Sequence, residues 1–148
     1  MRFMVIMYPG PKSEAGVQPE QADEDRKTME AMGAFNEELV KAGVLLAGEG
    51  LHPTSSGARV RFPEGKAQVI DGPFTETKEI VGGFWLWQCQ DLDEAKAWAS
   101  RCPASADQML EIRRVYEAAD FGEAMSPELA EAEERLRATI AEQQAGRA

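Results

Sequence analysis

Two short runs constrain this chain most. Phe3, Val5 and Met7 alternate with Met4, Ile6 and Tyr8, and further on Phe84 and Leu86 oppose Trp85 and Trp87. Successive side chains of a strand point to opposite faces of its sheet. Both runs are therefore strands that are apolar on two faces, the signature of a sheet covered on both sides. Any fold for this sequence must find two separate covers for one sheet.

The intervening pattern supplies the first cover. Pro9-Gly-Pro11 ends the opening strand, and a polar loop runs on to Ala22. A helix starts at the acidic Asp23-Glu-Asp25 and carries Met29, Met32, Phe35 and Leu39 as one stripe before Lys41-Ala-Gly43 stops it. Val44–Leu51 reads as a second strand, and Ala58–Phe62 with Ala67–Asp71 as a hairpin turning at Pro63-Glu-Gly65. In that hairpin Ala58, Val60 and Phe62 share one face and leave Arg59 and Arg61 on the other. Gly82-Gly83 introduces the tryptophan-rich strand. Asp91 and Glu94 have capping-box spacing, ahead of a helix burying Leu92, Ala95, Trp98 and Cys102 until Pro103. Met109–Arg114 is the last strand, and Ser126-Pro127 is an N-cap and N1 pair for a tail helix with Leu129, Ala132, Leu136 and Ile140 on one side.

The order β-α-β, hairpin, β-α-β, tail helix predicts an α+β fold: a ferredoxin-like antiparallel sheet with an inserted hairpin, two helices on one face and a C-terminal helix. The face away from the helices needs the second cover. At about 25 cal/mol per Å² of apolar area, leaving it in water would offset much of a domain's marginal stability. A homodimer is the expected solution; the alternative is that hairpin and tail helix fold back over the face within one chain.

Composition removes several classes of function. The 148 residues suit one domain with a short appendage, and 43% hydrophobic with 28% charged residues are ordinary for a globular chain. The net charge of −10 repels phosphate backbones and anionic bilayers, so neither nucleic acid nor a membrane is an expected partner. Two cysteines without CxxC spacing and a single histidine offer no usual zinc set, so no metal is expected. The apolar start is too short for a secretory h-region and no run approaches the roughly 18 apolar residues of a membrane span, which makes the cytoplasm the expected location. Gly48-Glu-Gly50 lacks the third glycine of a dinucleotide loop, and no cofactor is expected.

Asp71-Gly-Pro-Phe74 followed by Thr75-Glu-Thr-Lys-Glu79 resembles the hallmark of the DGPF-type, YCII-related family. Ala47-Gly-Glu-Gly-Leu-His52, Ala58-Arg-Val-Arg61 and Gly82-Gly83 stand in the order that family shows. The likeness covers roughly Met1 to Phe121, so the expected organisation is a YCII-related domain over 1–121 and a helical extension over 122–148. The resemblance implies a dimeric α+β barrel with a cleft formed partly by the hairpin and the DGPF turn. It implies no one reaction, since the wider superfamily includes small-molecule isomerases, dehydrochlorinases and monooxygenases. In the YCII branch a histidine on the first helix pairs with an aspartate near the hairpin; the matching helix position here is near Met32, which takes no proton.

Read as chemistry, Asp71 ends a strand beside a glycine that permits close approach of a ligand, and is the candidate general base or acid; its alternative role is to cap the turn. His52, the one imidazole, is the candidate partner. Arg61 can clamp a substrate carboxylate through two parallel bonds, or pair with Glu64 or Glu79 on the surface. Phe74 offers an apolar wall, Thr75 a hydroxyl, and Glu76, Lys78 and Glu79 a charge run beside the same segment. The tryptophans follow burial spacing and read as packing. Two functions fit: a cofactor-independent enzyme moving a proton beside a carbonyl, or a non-catalytic ligand-binding or regulatory dimer, which the resemblance associates with an extracytoplasmic-function sigma factor.

Overall fold

The computed structural model describes residues 1–10, 16, 19–74 and 80–146. Most of the loop expected between Pro11 and Ala22 lies outside them. The chain divides into two compact units, Met1–Val115 and Tyr116–Ala148.

In the first unit, β1 (Arg2–Tyr8), α1 (Ala22–Lys41), β2 (Leu45–Gly50), β3 (Ala58–Arg61), β4 (Gln68–Asp71), β5 (Gly83–Gln88), α2 (Leu92–Ala99) and β6 (Met109–Arg114) follow in order. Four strands form one antiparallel sheet in the order β2-β5-β1-β6, and β3-β4 is a separate hairpin inserted between β2 and β5. This is the ferredoxin-like arrangement, in the α+β class that the sequence implies.

Register explains the two-sided strands. Phe3 faces Trp87 and Val5 faces Trp85, and these four are buried with Phe35 and Leu39 of α1 and Ala95 of α2. Phe3, Val5, Trp85 and Trp87 thus point at the helices. Met4, paired with Leu86, and Ile6, paired with Phe84, point the other way. On that second face Met4 and Met109 are 36% and 56% exposed, while Ile6, Phe84 and Leu86 are half-buried.

Local chemistry sets the element ends. Three carboxylates, Asp23, Glu24 and Asp25, occupy the first turn of α1, where the helix dipole favours them. At its other end Gly43 takes φ +70°, its N–H reaches Val40 O at 3.0 Å and the Val44 N–H reaches Leu39 O at 2.9 Å. These are the two bonds of a Schellman stop. Asp91 caps α2, accepting from the Glu94 N–H at 2.9 Å, but the Glu94 carboxylate accepts from the Gln90 N–H at 2.6 Å. The reciprocal half of the expected capping box is thus displaced by one residue. Arg101 ties the helices together, pairing with Glu38 of α1 while its guanidinium lies 4.5 Å from the Trp98 ring centre.

Some expectations need correction. Met29 is 72% exposed and Leu92 43% exposed, so the buried stripes are shorter than their spacing implies. The hairpin strands stop at Arg61 and begin at Gln68, leaving Phe62 68% exposed outside the ladder. Glu64 at φ +52° and Gly65 at φ +77° make the intervening turn a tight 3₁₀ reversal over Pro63–Gly65, which shortens both strands.

In the second unit a 3₁₀ segment over Ala118–Ala124 precedes α3 (Pro127–Ala145). Ser126 caps α3 by accepting from the Leu129 N–H at 3.3 Å, as the Ser-Pro pair predicts. Leu129, Leu136 and Ile140 remain 57%, 57% and 44% exposed.

Candidate functional site

The inserted arm is built around one close approach. Beyond His52 and Pro53 the chain makes a 3₁₀ turn over Thr54–Ser56, and the Asp71–Phe74 bend is tied onto it. The Phe74 N–H donates to Thr54 Oγ1 at 3.1 Å, and the Gly72 N–H donates to Gly57 O at 2.9 Å. A Cβ at Gly72 would stand 1.7 Å from the Thr54 carbonyl oxygen, so the glycine of this motif is required by space. The Arg59 guanidinium lies 4.0 Å from the Phe74 ring centre, a cation–π contact that holds the ring under the hairpin.

Among the predicted residues, Asp71 closes β4 opposite Ala58 and is exposed, and His52 is exposed just beyond β2. Arg61 is also exposed and donates to Gln68 Oε1 at 3.3 Å, so within the described residues it bonds a neighbouring amide and no carboxylate. Thr75, Glu76, Lys78 and Glu79 lie outside the described residues. The Phe74 N–H ties the Asp71 bend to the hydroxyl of Thr54, two residues beyond His52.

A pocket of about 220 Å³ lies where the arm leaves the sheet. Its lining comprises Met7, Met32, Asn36, Trp85, Phe84 and the stretches Gly48–Gly50 and Gly82–Gly83. Burial along α1 explains the position: Leu39 is 0% exposed and Phe35 5%, Met32 is half-buried, and Met29 is open to solvent. The pocket opens at the half-buried step of that gradient. Gly50, Gly83 and Met7 form one row across three strands, and the arm begins after Gly50 and ends before Gly83.

Within the pocket Trp85 leans over Gly48, where a Cβ would meet its Cδ1 at 2.6 Å. Its Nε1–H donates to Asn36 Oδ1 at 3.0 Å. A Cβ at Gly50 would meet nothing within 4 Å, so this backbone borders open space. Glu49 sits opposite Phe84 in the ladder, and strand alternation turns its carboxylate to the other face of the sheet. The pocket wall on the helix side consequently offers apolar surface, an amide and bare backbone.

The two thiols are poor nucleophiles. Burial pushes the Cys89 thiol up, with Glu94 adding to the shift, and burial also raises Cys102. Both stay protonated at neutral pH, whereas attack requires the thiolate. Among the described residues no group of three or more His, Cys, Asp or Glu could hold a metal ion, and no helix is long and apolar enough to cross a membrane.

Sequence reasoning did not single out Asn36, and it weighed Gly50 only as part of a motif and not as a pocket residue. The available signals were Met32, near the helix position that the resemblance matches to a histidine, and the Gly48-Glu-Gly50 stretch, whose bare backbone borders the pocket.

An uncharacterized protein of Rhizobium meliloti (strain 1021) is 36% identical over 99 residues, covering 67% of this chain and 77% of the relative. Among solved structures, 5-chloro-2-hydroxyhydroquinone dehydrochlorinase of Burkholderia phenoliruptrix AC1100, in complex with 2,5-dihydroxybenzoquinone, is similar at 17% identity with a TM-score of 0.41, over 79% of this chain and 95% of that one. The model of the YCII-related domain matches residues 1–119, and with a match of that extent the chain belongs to the YCII-related domain family.

Proposed function

We propose that this protein binds a small organic molecule in the pocket between α1 and the β2-β5-β1 end of the sheet, and acts on it without a cofactor. The observation that carries the proposal is the pocket itself: apolar walls from Met7, Met32 and Trp85, one oriented amide, and bare glycine backbone against which a ligand can lie. Concave, mostly apolar sites with few polar anchors are where small molecules are held.

Proton transfer is the reaction class we propose, with Asp71 as base, His52 as its partner and Arg61 stabilising the negative charge that develops on the ligand as the proton leaves. What supports it is the path of the arm, which leaves and rejoins the sheet at two pocket-lining glycines and ties the Asp71 bend to Thr54. Neither base is on the pocket wall in a single chain, so catalysis requires the arm to reach a pocket, its own or that of a second copy. We therefore take the active form to be a homodimer.

The test separates binding from turnover. Gly50→Val places a branched side chain in the open space of the pocket and a good strand former in β2, so ligand binding should be lost while the thermal midpoint holds or rises. Asp71→Asn and His52→Ala should leave binding intact and slow turnover by about 10²-fold or more. Turnover unchanged in both variants would remove Asp71 and His52 from the chemistry, and binding without any turnover by native protein would leave a ligand-binding protein and no enzyme. Full binding by Gly50→Val would remove the pocket from the proposal altogether.

A further inference from the structure

The pocket's size, walls and single amide narrow its ligand, on the reading that this pocket is the binding site. About 220 Å³ is a little more than the roughly 150 Å³ of an engineered apolar cavity that takes up benzene, which sets the scale at one ring with a small substituent. The indole of Trp85 and the thioethers of Met7 and Met32 are suited to the face and edges of such a ring.

The amide sets the polarity. An asparagine can present either its oxygen or its nitrogen, but an indole N–H only donates. Because Trp85 Nε1 bonds to Asn36 Oδ1 at 3.0 Å, the oxygen is committed and Nδ2 is left as the donor end. The Asn36 side chain makes no other hydrogen bond among the described residues. Among the described residues the pocket lining contains no Lys, Arg or His, so none of them offsets the cost of stripping water from an anion.

We infer that the pocket selects a neutral monocyclic carbonyl compound, with the carbonyl oxygen accepting from Asn36 Nδ2 and Trp85 acting as a positioning residue that fixes which end of the amide faces the ligand. A ligand offering only donors meets a donor, and a carboxylate meets no positive charge among the described lining residues.

The experiment is a calorimetric titration of the full chain with three probes of similar size: acetophenone, toluene and benzoate. Acetophenone should bind about fivefold tighter than toluene, the size of one net hydrogen bond, and benzoate weaker than acetophenone. Asn36→Leu should remove the preference while keeping toluene binding. Trp85→Phe should shrink the preference by releasing the amide, with toluene as the control for an intact pocket. If Gly50→Val blocks toluene and acetophenone that bind native protein equally well, the pocket stands and the carbonyl assignment falls. Tightest binding of benzoate overturns the assignment in the same way. Absence of binding by all three probes overturns the pocket reading and the assignment with it.

Discussion

Trp87 is fully buried, yet its indole Nε1–H has no hydrogen-bond partner among the described residues. The ring instead packs edge-on against Phe35, centroids 6.4 Å apart at 65°. A buried donor without a partner costs about 1–3 kcal/mol, while trimming an indole to a phenyl ring forfeits packing of similar size. Trp87→Phe should therefore change stability by no more than about 1 kcal/mol in urea denaturation; a loss above about 3 kcal/mol would mean that the N–H is bonded after all. The neighbouring tryptophan behaves differently, because its N–H is matched by Asn36. From the sequence both rings read as packing, correctly for Trp87. The second role of Trp85 was not legible, since its partner lies 49 residues away and no local spacing reports on such a pair.

At the scale of elements, α1 shows what local chemistry can and cannot fix. Its C-terminal stop was readable because a glycine after Lys41-Ala42 suits the left-handed position, and Gly43 takes φ +70° there. Gly43→Ala should cost about 1 kcal/mol, read as a lower urea midpoint at unchanged slope, because the added Cβ meets no atom within 4 Å and only the backbone conformation resists it. The phase of the apolar stripe was equally readable, and its extent was not. Met29 has the spacing of a core residue, but 3.6-residue periodicity says only which side of a helix is apolar, and the burial of that side ends near Met32. The site was legible to the same degree. The DGPF segment announced a chain reversal whose glycine admits a close approach, but the group that approaches Gly72 is the chain's own Thr54 carbonyl and not a ligand, and the pocket arises from α1, β1, β2 and β5 together.

For the molecule as a whole, the order of strands followed from the β-α-β repeat, and the helix-facing half of the sheet was filled as its alternation required. The opposite face, with Met4 and Met109 in water, is where we place the second copy of our proposed dimer. Sedimentation equilibrium should return twice the chain mass for native protein, and Met4→Glu, at a position already part-exposed, should return a folded monomer. Native protein that sediments as a monomer at micromolar concentration would exclude that assembly. The pairing of Gly50 with Gly83 has a further consequence. The stretch between them departs from and comes back to a single rung of the ladder and is anchored at its return by the Gly82 N–H on Met7 O at 2.8 Å, so the scaffold fixes the root of the arm and sets little limit on the length beyond it. Such an arm is an exchangeable tool head: relatives can inherit the same handle and receptacle while fitting a different working end, and an engineer can do likewise by grafting there.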